Sequence, residues 1–361
     1  MKKHILSIFV PLILIAGLVS CSNKAPETAV PESPVRETMN TAETPEGDSS
    51  DALAENLREV DLSLPVKDHD GWMLPGTLTL PEGDGPFPAV VLVHGSGPND
   101  RDETIYENKP FKDLAQNLAQ KGIAVYRYDK RTYVYGKDMA ADMSLTLDEE
   151  TVIDAAAAVS LLKNREDIDS DRVFVLGHSL GGQAIPRIHA VLASAENRAA
   201  GYIFLAAPAR NLAEITREQY DFLYSFNPVL TNTQKAQKEE IYAQLDRLDN
   251  VSALDDSEVL MGAYAFYWKD LIAYDPVSSA SEITEPCFVL QGEEDYQVTM
   301  ADFSLWQDTF GNSKNWSFRS YTGLTHLFMP GERANSNAVY LKKQTVDARV
   351  IADIAEFINT H

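Results

Sequence analysis

Cysteine is scarce in this chain of 361 residues, which contains only two, Cys21 and Cys287. If Cys21 is modified at the mature N-terminus, Cys287 has no partner and an internal disulfide is excluded. Cys287 begins the apolar run at residues 287–290, which predicts a buried core thiol rather than a reactive one. Stability must therefore come from the core, and 44% hydrophobic residues are enough to form one.

Positive charge is also scarce, since 31 Lys and Arg residues stand against 54 Asp and Glu, for a formal net charge of −23. Nucleic-acid binding needs a basic face, which no cluster of Lys and Arg supplies here, so no nucleic-acid partner is expected. The acidity predicts a solvated surface. Metal-ligand spacings are lacking as well: Asp100, Asp102 and Glu103 lie close together, but no His or Cys accompanies them, and we predict no metal site.

A hydrophobic run of the ~20 residues that a membrane span needs is missing. The apolar stretch at residues 5–19 is shorter and follows Met1-Lys2-Lys3, as in a signal peptide. It ends in Leu18-Val19-Ser20-Cys21, which resembles the lipobox of bacterial lipoproteins. The resemblance implies a signal peptide at residues 1–20, lipid attachment at Cys21, and a protein exported and anchored to the bacterial cell membrane, facing outside the cytoplasm. An ordinary secretory signal that ends at a cysteine is the alternative.

Residues 21–57 are rich in Pro, Glu, Thr, Ser and Ala and contain almost no large apolar side chain. Such a segment cannot bury enough surface to offset the entropy of ordering, so we predict a disordered tether. Its reach would be roughly 30 Å, enough to hold a domain clear of a bilayer surface. The folded domain is predicted at residues 58–361.

From residue 58 onward, strand patterns alternate with helical ones. Residues 89–93 form an unbroken apolar run of the kind that a central parallel strand shows. The alternation predicts an α/β fold, with a mostly parallel central sheet flanked by helices. Strands are predicted at residues 60–66, 76–80, 89–93, 123–128, 173–176, 201–206, 287–291 and 316–321, and helices at residues 111–120, 147–163, 180–192, 299–310 and 345–358.

The alternation stops between residues 208 and 275, where the sequence shows helical patterns only. We interpret this segment as a helical cap inserted over the catalytic end of the sheet. It is rich in aromatic residues, most of which would attach the cap to the core. The others would line a substrate pocket, for which Tyr267 and Trp268 are candidates.

Ser179 is the candidate nucleophile. It lies in Gly177-His178-Ser179-Leu180-Gly181, between the predicted strand at residues 173–176 and a predicted helix. A Gly-x-Ser-x-Gly turn in this context holds the serine in a strained conformation and needs small residues two positions to either side. The serine then projects at a helix N-terminus, where developing negative charge is stabilised. The pattern alone also suits an ordinary tight turn, so other residues must decide.

A nucleophilic serine needs an imidazole to accept its proton and a carboxylate to orient that imidazole. Among the seven histidines, only His326 lies in a loop after a late strand. The carboxylate would come from Glu293, Glu294 or Asp295, which follow the predicted strand at residues 287–291.

The tetrahedral intermediate also needs two backbone N–H donors for its oxyanion. One would be the N–H of Leu180, the residue after the nucleophile. The other would come from the early glycine loop, most simply from Ser96, with Gly97 as the alternative.

The chain from about residue 60 to its end resembles serine hydrolases of the α/β-hydrolase superfamily. It is similar in particular to bacterial esterases with His-Gly-Ser-Gly-Pro-x-Asp-Arg-Asp early and Gly-x-x-Asp-Tyr-Gln-Val late, which are residues 94–102 and 292–298 here. The resemblance implies Asp295 as the acid, hydrolysis of carboxylic esters, often of short acyl chains, and no cofactor. Relatives commonly continue Asp-x-Arg with Gly, whereas residues 129–132 read Asp-Lys-Arg-Thr, so we expect only a structural salt bridge from this loop.

The sequence thus predicts a carboxylesterase in which Ser179 attacks, His326 transfers the proton and Asp295 orients His326. Its expected partners are a small-molecule ester and, through the lipid anchor, a membrane. A serine peptidase acting on small peptides is an alternative, because such enzymes share this fold and triad order. A non-catalytic surface binding module on a hydrolase scaffold is another.

Overall fold

A sheet of eight strands forms the centre of the protein. The structure is a computed structural model and describes residues 57–226 and 229–361. The predicted signal peptide, Cys21 and residues 22–56 of the predicted tether lie outside the described residues. In chain order the strands are β1 (Arg58–Asp61), β2 (Leu64–Pro65), β3 (Met73–Leu74), β4 (Gly76–Leu80), β5 (Phe87–Val93), β6 (Ala124–Tyr128), β7 (Ile168–His178), β8 (Tyr202–Leu205), β9 (Val259–Leu260), β10 (Ala263–Tyr264), β11 (Cys287–Gly292) and β12 (Trp316–Tyr321).

Most of the sheet is parallel. Its order is β1-β4-β6-β5-β7-β8-β11-β12, and all neighbours from β6 to β12 run parallel. Only β4 runs antiparallel to both of its neighbours, β1 and β6. The pairs β2·β3 and β9·β10 form two short ribbons outside the sheet. The predicted α/β fold with a mostly parallel sheet is confirmed.

Helices cover both faces of this sheet. Alternate residues of β5 enter two separate hydrophobic clusters, Ala89, Val91 and Val93 on one side and Val90 and Leu92 on the other. Burial on both faces explains why the strand is apolar throughout. The α-helices are Pro110–Ala119, Arg131–Val134, Gly136–Met139, Ile153–Lys163, Leu180–Ser194, Leu212–Ser225, Asn232–Leu248, Ala265–Ala273, Pro276–Ser279, Met300–Phe310 and Ala348–Thr360.

The predicted strand at residues 60–66 is divided in the structure. Its first part is β1, which pairs with β4 at the edge of the sheet. Its second part is β2, which leaves the sheet and pairs with β3 across the turn at residues 68–71. Pro65 lies in β2, and because proline has no backbone N–H, it cannot extend the ladder of a sheet.

The predicted helix at residues 147–163 starts as a π-helix, Asp148–Val152, and continues as the α-helix Ile153–Lys163. π-Helical turns are rare and occur frequently at functional sites. This one carries Glu150, which is 5% exposed and pairs with Lys130. Hydrophobic periodicity does not reveal the turn, because the buried side chain at its centre is held by a residue distant in the sequence.

The segment between β8 and β11, called the cap segment below, is not purely helical, so the prediction of helical patterns only was wrong. It contains the helices Leu212–Ser225, Asn232–Leu248 and Ala265–Ala273, but also the ribbon β9·β10. Met261 and Gly262 connect the ribbon with φ angles of 50° and 83°. Two consecutive left-handed residues form the tight turn that a two-residue hairpin needs.

Cys287 is fully buried at the start of β11, which confirms the predicted core thiol. Its burial raises the pKa of the thiol well above the usual range. Across residues 57–226 and 229–361, no helix has the length and apolarity required to span a bilayer.

Candidate active site

Ser179 lies on a sharp turn between β7 and the helix Leu180–Ser194. Its backbone has φ 53° and ψ −121°, a conformation that only glycine adopts without strain. The turn depends on glycine at two neighbouring positions. A Cβ atom at Gly177 would lie 2.2 Å from the carbonyl oxygen of Gly181, and one at Gly181 would lie 2.3 Å from that of Val93. The local sequence therefore folds into the strained turn that was predicted for a nucleophile.

Asp295 and His326 are brought together by the structure. His326 Nδ1 lies 2.6 Å from Asp295 Oδ2, and both side chains are at least 94% buried. The other carboxylate oxygen, Oδ1, accepts the backbone N–H groups of Gln297 and Val298 at 2.7 and 3.1 Å. Because Nδ1–H of His326 donates to the carboxylate of Asp295, the free lone pair of the imidazole is at Nε2, where a general base needs it.

Glu293 and Glu294, the other two candidates for the catalytic carboxylate, have other hydrogen-bond partners. Glu293 accepts the hydroxyl groups of Ser320 and Thr322, and hydrogen bonding lowers its pKa. Glu294 accepts the backbone N–H of Arg333 at 2.9 Å. Among the three candidates in this loop, Asp295 is the one that contacts His326.

The serine turn and the histidine loop contact each other through His178. Its Nε2 lies 3.0 Å from the carbonyl oxygen of His326, and the two imidazole centres are 4.6 Å apart. Since Ser179 directly follows His178, this contact links the loop of His326 to the serine turn. Ser179, Asp295 and His326 are all buried, with 6%, 1% and 5% exposure.

The early glycine loop lies directly against the serine. A Cβ atom at Gly95 would be 3.1 Å from Ser179 Cβ. The N–H of Gly95 already donates to Glu103 Oε1 at 2.7 Å, so Gly95 does not supply an oxyanion donor. Ser96 and Gly97 follow in the loop, and Leu180 on the other side is the first residue of its helix, where the N–H has no intrahelical acceptor.

Glu103 is a buried residue of the site whose role the sequence analysis missed. It has a positive φ of 52°, is 3% exposed and pairs with His178 Nδ1 at 2.9 Å. Both ring nitrogens of His178 thus lie within 3.0 Å of an oxygen atom, an arrangement that favours the doubly protonated ring. Burial opposes both charges, yet the pairing raises the pKa of His178 above its usual value and lowers the pKa of Glu103. Its position directly after the motif at residues 94–102 was the only signal in the sequence.

The pKa of His94 is shifted in the opposite direction to that of His178. It is 1% exposed, and within the described residues neither ring nitrogen has a hydrogen-bond partner. Burial lowers the pKa of His94 to about 4, against the effect of nearby Glu103, so the ring is neutral in the folded protein.

Replacing His94 with leucine is expected to reduce the loss of stability in acid. The unfolded chain binds a proton at this histidine near pH 6.5, whereas the folded protein binds it only near pH 4, so stability rises with pH across that window. The difference in pKa corresponds to as much as about 3 kcal/mol below pH 4. Urea unfolding of parent and His94→Leu proteins at pH 4, 5, 6 and 7 measures it, and parallel pH profiles would contradict the assignment.

Tyr267 and Trp268, the candidates for the substrate pocket, are 5% and 0% exposed. The indole N–H of Trp268 donates to the carbonyl oxygen of Leu260 at 2.8 Å, and the Tyr267 hydroxyl donates to Glu150. These contacts attach the cap segment to itself and to the core, as expected for most of its aromatic residues. A role for the two residues in the substrate pocket stays a prediction.

The expected salt bridge of the loop at residues 129–132 is present, and it is more extensive than the sequence indicated. Asp129 pairs with Arg101 at 2.9 Å, and Arg131 pairs with Asp154 at 2.6 Å. Lys130 also forms a buried ion pair, with Glu150. No group of three His, Cys, Asp or Glu side chains that could hold a metal occurs in the part of the chain that the structure describes.

Comparisons with known proteins give a relative and several similar structures. The curated Esterase EstD of Thermotoga maritima is 42% identical over 285 residues, and the match covers 79% of this chain but only 65% of the length of that relative. Esterase Pf2001 of Pyrococcus furiosus superposes with a TM-score of 0.53 at 15% identity, covering 91% of this chain and 96% of that one. An esterase from Pyrobaculum calidifontis gives 0.54 at 17% identity, with 86% and 90% covered.

The two superpositions, at such low identities, establish the fold alone. The family assignment comes from the sequence, since residues 90–334 match the family described as "Alpha/beta hydrolase family". The match includes the serine turn, the Asp295 loop and the His326 loop. On this evidence, the chain belongs to the alpha/beta hydrolase family.

Proposed function

We propose that this protein is a serine carboxylesterase that acts through Ser179, His326 and Asp295. The observation that carries the proposal is the buried 2.6 Å contact between His326 Nδ1 and Asp295 Oδ2, beside a serine held at φ 53°. A purely structural histidine would not require a strained serine next to it. The esterase named at 42% identity supports the choice of an ester as substrate.

In the proposed reaction, Ser179 Oγ attacks the ester carbonyl carbon while His326 Nε2 accepts the hydroxyl proton. His326 then gives this proton to the alkoxide that leaves, and an acyl group remains on Ser179. A water molecule attacks the acyl group, again losing its proton to His326, and the acid is released with the serine restored. Asp295 holds the imidazole in the correct tautomer throughout.

The negative oxygen of each tetrahedral intermediate would be held by the backbone N–H groups of Leu180 and Ser96. Removing one such donor typically costs about 3 kcal/mol of transition-state stabilisation. Support for Ser96 comes from the loop geometry, because Gly95 lies against Ser179 while its own N–H is taken by Glu103. The proposed chemistry uses only side chains and backbone groups of this chain.

A short acyl chain is proposed for the substrate because aromatic residues crowd the acid loop. Tyr296, next to Asp295, is stacked on Phe222 of the cap segment with ring centres 5.0 Å apart. Gln219, on the same helix, donates from Nε2 to the carbonyl oxygen of Gln297 at 2.9 Å. The cap segment is thus attached to the loop that carries the proposed catalytic acid, and an aromatic side chain of the cap segment packs directly on that loop.

We expect kcat/KM on nitrophenyl esters to be highest between two and six acyl carbons and to fall at least tenfold by sixteen. Steady-state kinetics of the full chain on esters of two to sixteen carbons tests this. Aminoacyl anilides are the matched substrates for peptidase activity. Turnover of anilides without turnover of esters would replace the esterase proposal by a peptidase, and inertness on both would favour a binding role.

For its cellular place, we propose export and anchoring to the membrane through a lipid on Cys21. The support is the sequence Leu18-Val19-Ser20-Cys21 after the basic and apolar start of the chain. In bacteria grown with labelled palmitate, the full chain should carry label and sediment with membranes. A Cys21→Ser protein should lose both properties, and a labelled Cys21→Ser protein would contradict the proposal.

A further inference from the structure

Lys130 forms a hydrogen bond to the glycine loop in addition to its salt bridge, and a purely structural salt bridge would not need this bond. The residue is 2% exposed and lies just beyond the C-terminal end of β6. Its ammonium pairs with Glu150 Oε1 at 2.5 Å and also donates to the carbonyl oxygen of Gly95 at 2.8 Å. Gly95 belongs to the loop that lies against Ser179. A buried cation is therefore bonded directly to the backbone of the proposed oxyanion loop.

This bond determines the direction of the next N–H group. The carbonyl of Gly95 and the N–H of Ser96 belong to one trans peptide unit, in which the two groups point in opposite directions. Holding the carbonyl oxygen on Lys130 therefore directs the Ser96 N–H to the opposite side of the loop. Asn99 Nδ2 donates to the same carbonyl at 3.2 Å, and Glu103 holds the N–H of Gly95. Both peptide units of Gly95 are thus fixed by buried or partly buried polar groups.

The contact continues into the cap segment. The second oxygen of Glu150 accepts the hydroxyl group of Tyr267, in the helix Ala265–Ala273. Glu150 and Tyr267 are each 5% exposed, and Glu150 sits in the π-helix Asp148–Val152. Burial raises the pKa of Tyr267 well above its usual range, so its hydroxyl remains a donor. A continuous buried path thus runs from the Tyr267 hydroxyl through Glu150 and Lys130 to the carbonyl of Gly95.

We propose that Lys130 is a positioning residue that directs the Ser96 N–H into the oxyanion hole, and that Glu150 and Tyr267 connect this donor to the cap segment. The inference rests on the proposed function, because an oxyanion forms only if Ser179 attacks a carbonyl. It gives the loop at residues 129–132 a role in catalysis, whereas the sequence indicated only a structural salt bridge there. It also means that the position of the cap segment affects the chemical step and not only substrate binding.

The first test replaces Lys130 with methionine, which has a similar length but no donor. On nitrophenyl acetate, the full-length Lys130→Met protein is expected to lose about 10²-fold in kcat, as when an oxyanion donor is removed, with KM changed less than about threefold. Phenylboronic acid, which forms a tetrahedral adduct with a nucleophilic serine, should bind more weakly by a similar factor. A merely structural role would not make the two losses agree.

Two further variants keep this test decisive. Lys130→Met leaves Glu150 buried without its cation, so Lys130→Met/Glu150→Gln removes that charge if the single variant does not fold. Arg131→Lys is the control, because Arg131 is equally buried but pairs with Asp154 and Asp68 instead. It should lower the melting temperature while leaving both kcat and the affinity for phenylboronic acid within about threefold of the parent. A folded Lys130 variant with kcat within twofold of the parent overturns the proposal.

The connection to the cap segment is tested by Tyr267→Phe, which removes only the hydroxyl group. We expect kcat to fall about three- to tenfold at nearly constant KM, the range of a coupling carried by one packed contact. Tyr126→Phe is the matched control, since it also removes one hydroxyl, which donates to the carbonyl oxygen of Leu62 at 2.7 Å and makes no hydrogen bond with Glu150 or Lys130. Equal kinetics of the two variants would overturn the connection.

These results separate the inference from the proposed function. If Ser179→Ala is inactive while Lys130→Met retains full activity, the esterase proposal holds and the positioning role is refuted. If Ser179→Ala retains full activity, the proposed function fails, whatever Lys130 does. Loss of activity in both, with weakened boronate binding in Lys130→Met, supports the two together.

Discussion

The Ser179→Ala protein is expected to hydrolyse nitrophenyl acetate about 10⁶-fold more slowly in kcat than the parent, the size of effect found when a triad serine is removed. The loss should be this large because alanine has no atom that can form the acyl intermediate. The turn that holds residue 179 should persist, since the close approach of Gly177 and Gly181 fixes it. Stopped-flow assays of the parent and prolonged steady-state assays of the variant, on the same ester preparation, measure the loss in kcat.

Ser179→Gly is the matched variant for this prediction. It should be as inactive as Ser179→Ala, but more stable than the parent by about 1 kcal/mol or more, because φ 53° and ψ −121° strain a residue with a Cβ and not glycine. Melting curves of the three proteins separate loss of the nucleophile from damage to the fold. A Ser179→Ala protein that is folded and still active would remove Ser179 from the mechanism.

The Asp295→Asn protein is expected to lose about 10⁴-fold in kcat with little change in fold. The direction of the amide follows from its donors: the backbone N–H groups of Gln297 and Val298 both point at Oδ1, against the single donor Gln291 Nε2 at Oδ2, so the amide oxygen stays at the Oδ1 position. The amide NH₂ then faces His326 Nδ1, which can only accept. The proton of the neutral imidazole moves to Nε2, where it blocks removal of the serine proton.

Glu294→Gln is the control for this substitution, because it neutralises a carboxylate in the same loop that bonds Arg333 instead of His326. Its kcat should stay within about threefold of the parent. Steady-state kinetics on nitrophenyl acetate from pH 5 to pH 9 compares the three proteins and shows whether the loss persists at every pH. An Asp295→Asn protein within tenfold of the parent would show that another group orients His326.

The buried charges around Gly95 show how far the site extends beyond three residues. Glu103 holds the N–H of Gly95 and pairs with His178, while Lys130 holds its carbonyl and pairs with Glu150. Buried ion pairs are weak evidence for stability, since replacing them with apolar residues is often neutral or stabilising. Their arrangement on both sides of one glycine is better explained by the need to fix the loop beside Ser179.

Local sequence patterns predicted most of the fold. The apolar run at residues 89–93 predicted a central strand because burial on both faces requires one, and its residues do enter two clusters. The glycines at positions 177 and 181 predicted the serine turn because the close contact they make is itself local. The β9·β10 ribbon was missed because its strands are too short to show a period, and its turn rests on two left-handed residues, Met261 and Gly262.

By itself, then, the sequence determined the parallel sheet, the position of Ser179 and the candidates for its partners, because apolar periodicity and glycine placement act over a few residues. The residue patterns left Glu293, Glu294 and Asp295 open, and only the resemblance implied Asp295. The tertiary structure alone shows that Asp295 contacts His326 and that Glu103 and Lys130 hold Gly95 from two sides. These contacts join residues distant in the chain. A charged side chain looks the same in a sequence whether it faces solvent or a buried partner, and the difference is made by folding alone.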